Sequence, residues 1–131
     1  MRRIPLLAAA GLLAGCVAAA VVGAAAVTAY GVVKYKENEA YRDYRKGLTP
    51  TWEAVLGELK EMGYPVTQDA EAARQAGGID VDDADVKVES LNDDYTRVTV
   101  RIGTFETDAH KRKASRLLNG VAERLGEASA P

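Results

Sequence analysis

Residues 86–102 read VKVESLNDDYTRVTVRI, and this stretch decides the fold predicted for the chain. On both sides of Asn92-Asp93-Asp94, valine or isoleucine alternates with charged or hydroxyl side chains. A period of two is typical of strands with one face on a core and the other in water. The short polar link makes such strands antiparallel neighbours. The stretch therefore predicts a hairpin of two strands, Val86–Leu91 and Tyr95–Ile102.

Two shorter segments predict strands beside this hairpin. Ile79–Asp82 precedes it, and Asp83-Ala84-Asp85 has the residue types of the turn that would join them. Glu39–Lys46 carries charges that discourage edge-to-edge pairing, which favours an edge strand. A short helix is the alternative there, because Tyr41 and Tyr44 are three residues apart.

A helix is predicted between these strands. Thr49 is a suitable N-cap, Pro50 suits the first helical position, and Gly63 suits the end. The apolar side chains recur at helical spacing: Trp52, Val55, Leu56, Leu59 and Met62. We expect Trp52 to be a core residue, with a ligand platform as the alternative. Tyr64–Thr67 then predicts a short strand that Pro65 confines to an edge or a strand start.

Ala70–Gly78, which lies before the hairpin, is expected to be turn-like at its end. A second helix is predicted after the hairpin. The second helix would be capped by Thr107 or Asp108 and closed by Gly126. Its apolar stripe comprises Ala114, Leu117, Leu118, Val121 and Leu125. Two amphipathic helices and an antiparallel meander predict an α+β fold. We expect a small two-layer sandwich, with a sheet of four to five strands and both helices on one face.

The N-terminal third has a different character. Arg2 and Arg3 precede the apolar run Ile4–Leu13, which is the arrangement of a signal peptide. The run ends in Leu13-Ala14-Gly15-Cys16, and Cys16 is the only cysteine in the chain. This tetrapeptide resembles the lipobox of bacterial lipoproteins. The resemblance implies cleavage between Gly15 and Cys16 and acylation of Cys16, which would anchor the chain in a bilayer.

These features predict four regions: a signal peptide (1–15), an Ala/Gly/Val-rich tether (16–34), a globular domain (35–126) and a disordered tail (127–131). The signal and tether could form a helix, and residues 17–33 could alternatively be a loosely structured spacer. The uncharged run Ile4–Val33 is also long enough for an uncleaved transmembrane helix, which is the alternative to a lipoprotein. Val17, and not aspartate, follows the cysteine, and the resemblance to bacterial lipoproteins then implies the outer rather than the inner membrane.

Composition and motifs limit the classes of function that the chain is expected to have. The chain has 17 Lys and Arg against 19 Asp and Glu, so its mildly acidic balance does not favour nucleic-acid binding. A single cysteine excludes an intramolecular disulfide. The sequence contains no phosphate-binding loop or dinucleotide fingerprint, and we expect no cofactor and no metal. No small-molecule substrate is evident.

Two groups of side chains are of types that can carry chemistry, but simpler interpretations are favoured for both. The carboxylates of Asp80, Asp82, Asp83 and Asp85 suggest calcium, but their spacing fails the EF-hand pattern and favours a solvated turn. His110 is the only histidine, so zinc would lack ligands. A triad could be drawn from His110, Asp108 and Ser90 or Ser115, but no nucleophile motif accompanies it. We expect His110 to be exposed in the first turn of the second helix.

Four cations near the start of that helix form the candidate interaction patch: Lys111, Arg112, Lys113 and Arg116. The functional interpretation is a surface for anionic lipid or an acidic partner. The alternative is a solvated helix face.

Several short motifs resemble, in this order, a family of bacterial lipoproteins classed as a domain of unknown function, family 3568. They are the lipobox, Thr51-Trp52-Glu53-Ala54, Leu59, Gly63-Tyr64, Val66, Gly78-Ile79, VTVRIGTF at 98–105 and the Leu-rich terminal helix. The chain departs from the family at Glu106, where glycine is expected, and in the basic run 110–113. The resemblance implies an envelope location and this architecture, but no activity.

We therefore expect a membrane-anchored lipoprotein facing the periplasm, with a non-enzymatic domain that serves as an envelope structural or protein-interaction module. Its partners would be the bilayer, through acylated Cys16, and an envelope protein. The alternative is a ligand-binding or accessory subunit of a membrane complex.

Overall fold

The computed structural model describes residues 27–127, which form an antiparallel sheet and helices that pack on one of its faces. The strand order is β1-β2-β5-β4-β3. The elements of this part of the chain are β1 (Lys34–Tyr35), β2 (Ala40–Tyr44), α1 (Leu48–Glu61), α2 (Ala70–Ala76), β3 (Gly78–Val81), β4 (Ala84–Ser90), β5 (Thr96–Ile102) and α3 (Asp108–Arg124). The α+β class is confirmed, with three helices in place of the two expected.

The predicted hairpin is the centre of the sheet. Strands β4 and β5 pair along their whole length, with Val86 opposite Val100 and Val88 opposite Val98. The side-chain oxygen of Asn92 accepts hydrogen bonds from the backbone N–H groups of Asp94 (2.8 Å) and Tyr95 (3.0 Å). Asn92 thus shapes the turn as its residue type suggested.

The core lies between the hairpin and helices α1 and α3. The inward-facing valines and isoleucine of β4 and β5 are buried there, together with Leu59, Leu117, Leu118 and Val121. Trp52 is fully buried in the same cluster, which confirms it as a core residue. Gly120 permits a close approach of the two helices, because a Cβ atom at this position would lie 2.3 Å from the Glu58 carboxylate.

The start of α1 differs from the prediction. Gly47, and not Thr49, is the N-cap residue, and no side chain caps this end. Thr51 instead donates its hydroxyl hydrogen bond to the Gly47 carbonyl (2.7 Å). The N–H groups of the first helical positions have no partner within the helix, so proline, which has no N–H, can occupy any of these positions. Pro50 therefore does not show at which residue the helix begins.

Helix α2 lies where we expected only a polar segment ending in a turn. The Asp69 carboxylate accepts the N–H of Ala72 (2.8 Å) as N-cap, and Gly77 ends the helix in the left-handed conformation. Ala73 is the residue of α2 that is buried. One buried alanine makes no apolar stripe, so the helical periodicity was invisible in the sequence.

Two local predictions around β3 were wrong. Tyr64–Thr67 is not a strand, because Tyr64 N–H bonds to Leu59 O (3.0 Å) and Val66 N–H to Tyr64 O (2.9 Å), which are local turn bonds. The turn before β4 is also shorter than expected. It centres on Asp82 and Asp83, and the positive φ of Asp82 lets the chain reverse there, so that Ala84 already pairs with Val81.

The segment 28–36 forms a strap along the outer edge of β2. Ala29 is buried, Tyr30 bridges to Asp43, and Lys34–Tyr35 pairs with Ala40 and Tyr41. Strand β2 confirms the strand interpretation of Glu39–Lys46, but the edge position was wrong, because β1 pairs with the outer side of β2 and is itself the edge of the sheet. Residues 28–34, assigned to the tether from the sequence, therefore lie against the sheet.

The expected N-terminal helix and the lipobox fall within residues 1–26, outside the described residues. At the other end, Glu127 was assigned to the tail. Its N–H bonds to Ala122 O (2.8 Å) and its carboxylate accepts the N–H of Arg45 (2.9 Å). Residues 128–131 also lie outside the described part.

Candidate functional site

The predicted basic patch borders a groove between the end of α1 and the start of α3. Thr107 caps α3 by accepting the N–H of His110 (3.1 Å), which sets the first turn of the helix. Positions 109, 112, 113 and 116 then share one face by helical spacing. The groove has a volume of about 370 Å³ and is lined by Glu61, Met62, Ala109, Arg112, Lys113 and Arg116. Lys111 is exposed on the same helix but does not line it.

Lys113 is held in place by neighbours at one end of this groove. Its ammonium group lies 3.8 Å from the Asp83 carboxylate and 4.8 Å from the centre of the Tyr64 ring. Tyr64 donates its hydroxyl hydrogen bond to Asp83 (2.8 Å). Burial raises the pKa of Tyr64, and the hydrogen bond with Tyr64 raises the pKa of Lys113. The phenol therefore stays neutral and the ammonium charged at physiological pH.

Arg112 and Arg116 are the groove residues available to a partner. Both are exposed, and neither forms an ion pair with another residue between 27 and 127. The acidic residue of the groove, Glu61, already pairs with Arg124 (2.8 Å). Positive charge thus predominates, and the apolar surface of Met62 and Ala109 lies beside it. The arrangement suits a carboxylate or another anionic group on an amphipathic partner.

His110 is half-buried, so the expectation that it is exposed was wrong. Its ring packs on Gly103, where an added Cβ atom would lie 2.7 Å from Nε2. Its buried Nδ1 has no hydrogen-bond partner within the described residues. The two serines weighed for a triad hydrogen-bond elsewhere, Ser90 to Asn92 O (3.1 Å) and Ser115 with Asn119 (3.4 Å).

The acidic residues 80–85 do not converge. Asp83 faces Tyr64 and Lys113, whereas Asp85 lies 3.4 Å from Arg101 on the neighbouring strand. In the part of the chain that the structure covers, no three His, Cys, Asp or Glu side chains are close enough together to hold a metal ion.

A buried carboxylate on the face of the sheet opposite the helices was not predicted from the sequence. Asp43 accepts four hydrogen bonds, two from the backbone N–H groups of Thr28 (2.9 Å) and Ala29 (3.0 Å) and two from the Arg97 guanidinium (2.7 and 3.0 Å). Asp43 in turn raises the pKa of Arg97. The alternation of Arg97, Thr99 and Arg101 marked the outer face of β5, but no pattern marked the partner of Arg97.

Cys16 and Gly15, the predicted lipidation and cleavage residues, lie outside the described residues. Between residues 27 and 127, no helix combines the length and the apolar character required to cross a membrane.

Comparison of the chain with known proteins identifies a family. Comparisons with curated proteins and with solved structures found no match. The family model described as "Protein of unknown function (DUF3568)" matches residues 4–123, which is most of the chain. The match spans both the N-terminal segment and the α+β domain, and the chain therefore belongs to the DUF3568 family.

Proposed function

We propose that this DUF3568 protein is a lipoprotein anchored through Cys16 at the periplasmic face of a bacterial membrane, with the outer membrane favoured over the inner. Support comes from Arg2 and Arg3, the apolar run behind them and the tetrapeptide ending at Cys16. The residues between Cys16 and Val27 would then be the link from the lipid to the folded domain.

The domain itself would be a non-enzymatic interaction module that binds an acidic segment of an envelope protein in the groove beside α3. One observation carries this proposal: the groove and the point where the tether enters lie at opposite ends of the sheet. Thr28 and Ala29 are held at the Arg97 end of β5, whereas Lys113 contacts Asp83 beside the Ile102 end. Seven-residue strand β5 separates them by roughly 15–20 Å. A partner in the groove would therefore not compete with the anchor.

Mass spectrometry of the N-terminus tests the anchor. We expect a mature chain that begins at an acylated Cys16, and we expect Cys16→Ser to leave the precursor uncleaved. A chain that retains Met1 and an unmodified Cys16 would contradict the lipoprotein and support the uncleaved transmembrane helix.

Site-specific photocrosslinking in cells tests the groove. A photoreactive amino acid at Arg116 should give a discrete crosslinked product, and the same amino acid at Lys111 should not, although both positions are exposed on α3. Arg112→Glu should abolish the product formed from position 116, because it reverses a charge in the groove. The matched reversal Lys111→Glu should leave the product unchanged. Equal products from both positions would show that the groove is not the contact site.

A second candidate is the binding of a small anionic ligand, which the size of the groove favours. About 370 Å³ is within the range of small-molecule sites. Citrate and a short glutamate peptide would distinguish the two candidates by calorimetry. Saturable citrate binding that Arg112→Glu abolishes would favour the ligand, whereas binding of the peptide alone would favour the protein partner.

A further inference from the structure

The strap carries an unusual set of exposed side chains. Within the described residues, the large hydrophobic side chains with high exposure are Tyr30 (48%), Val32 (39%) and Tyr35 (52%). All three lie within the strap, directly after the proposed tether. Lys34 and Lys36 are exposed beside them.

The sheet holds this strap firmly. The Asp43 carboxylate binds the N–H groups of Thr28 and Ala29, and Asp43 N–H donates to the Ala29 carbonyl (3.0 Å). Further along, the Tyr30 ring contacts Tyr95 edge to face at 5.7 Å, and the Tyr35 ring lies 6.4 Å from Phe105. These contacts fix one side of the strap to the domain. The Tyr30 and Tyr35 rings make these contacts and are still about half exposed, so the exposed part of each ring is held at the surface of the domain.

We propose that the exposed side of the strap lies in the headgroup region of the bilayer and orients the domain on the membrane. The proposal rests on the lipid anchor proposed above. Residues 17–26 could span at most roughly 35 Å when extended, so the anchor would hold the beginning of the strap within that distance of Cys16. Tyrosine and lysine are the residue types that membrane interfaces favour, because an apolar body there meets the acyl boundary and a polar tip meets the headgroups.

The bilayer fits this surface better than a second copy of the chain. A specific protein interface typically uses about 20–30 residues a side, far more than the exposed side chains of the strap. The anchor, in contrast, would hold the strap at the bilayer continuously, so that a small apolar surface suffices.

Fluorescence of the lipidated full-length protein in vesicles of phosphatidylethanolamine and phosphatidylglycerol tests this proposal. A polarity-sensitive label is attached at Val32→Cys or, as the control, at Lys111→Cys near the groove. We expect nitroxide-labelled headgroups to quench the label at position 32 roughly twofold or more beyond the label at position 111. The double substitution Tyr30→Ser and Tyr35→Ser, on exposed side chains, should reduce quenching at position 32 toward the control.

The N-terminal mass of the same sample separates the two proposals. If Cys16 is acylated and the labels at 32 and 111 are quenched equally, the membrane orientation is wrong and the anchor stands. If Cys16 is unmodified, the anchor and the orientation that rests on it are both overturned. Undiminished quenching in the double variant would also overturn the role of the tyrosines.

Discussion

Arg97 and Arg101 lie on the same face of β5, and each pairs with an aspartate on a neighbouring strand, but the two pairs differ in every physical respect. Arg97 and Asp43 are 14% and 0% exposed, and two hydrogen bonds join them. Arg101 and Asp85 are 47% and 35% exposed, and a single contact of 3.4 Å joins them. The strap covers one pair and leaves the other in water. Because a few strap residues cover it, the Arg97–Asp43 pair is buried, whereas the Arg101–Asp85 pair remains an ordinary surface ion pair.

The difference follows from what surrounds each carboxylate. Asp43 has its lone pairs filled by two backbone N–H groups and the guanidinium, which offsets the cost of removing it from water. Asp85 remains hydrated, and solvent and salt screen its attraction to Arg101. The same pair of residue types therefore stabilises the two ends of the outer face to very different extents.

Asp43→Asn should have the largest effect of the changes that test this comparison. It removes the negative charge that faces the Arg97 guanidinium and weakens the bonds to Thr28 and Ala29. We expect the free energy of unfolding to fall by about 2–4 kcal/mol. Urea denaturation followed by the fluorescence of Trp52, the single tryptophan, measures it. A loss below about 0.5 kcal/mol would make the covered pair no different from a surface pair.

A double-mutant cycle sharpens the same point. Asp43→Asn and Arg97→Gln together should cost less than the sum of the single changes, because each single change already removes the attraction between the two side chains. We expect a coupling energy of about 1–3 kcal/mol. The equivalent cycle with Asp85→Asn and Arg101→Gln is the control and should give a coupling several times smaller. Equal coupling energies in the two cycles would show that cover by the strap does not strengthen the Arg97–Asp43 pair.

Tyr44 lies on the other face of β2, where its buried side chain forms a neutral hydrogen bond instead of an ion pair. Substitution of Tyr44 measures what this neutral contact contributes to stability. Tyr44 donates to Leu118 O (2.5 Å), and burial raises its pKa far above the ordinary value of 10.0. Tyr44→Phe should cost about 1 kcal/mol near neutral pH. Because the folded state keeps this proton after the unfolded state has lost it, the contribution of Tyr44 is complete below pH 10.0 and falls as the pH rises above it.

The corresponding measurement is the difference in unfolding free energy between wild type and Tyr44→Phe from about pH 7 to pH 11. It should shrink and then change sign. A difference that does not change with pH would mean that Tyr44 ionises as readily in the folded protein as in the unfolded chain.

Arg101→Ala should have the smallest effect. An exposed pair of this kind contributes about 0.2–1 kcal/mol, and added salt should remove most of that. Salt should leave the cost of Asp43→Asn largely unchanged. If Arg101→Ala lowers the free energy of unfolding as much as Asp43→Asn does, the exposed pair stabilises the protein as much as the buried pair, and the expected difference between them is wrong.

The alternation of valines across 86–102 predicted the central hairpin because burial of one sheet face dictates a period of two. The spacing of Trp52 and Leu59, and of Leu117 and Val121, similarly predicted which faces of α1 and α3 are buried. Helix α2 has no apolar periodicity because it buries a single alanine, and the Tyr64 segment gives no periodic signal because its hydrogen bonds are local turn bonds.

For the candidate site, the sequence identified the cations but not their roles. Lys113 differs from Arg112 and Arg116 only because Asp83 and Tyr64 reach it from other parts of the chain. The groove requires Glu61 and Met62 from the end of α1. No spacing within α3 could reveal either contact.

The fold class, the inward faces of the hairpin and of the two long helices, and membership of the DUF3568 family were predictable from the sequence, because these depend on local periodicity and on short motifs read in order. Tertiary contacts alone revealed that Asp43 binds Arg97 and the strap, that the Tyr30 and Tyr35 rings pack against the domain, and that a groove forms between α1 and α3. These depend on residues distant in the sequence, such as Asp43 and Arg97, meeting in space, where burial changes the strength of each charge.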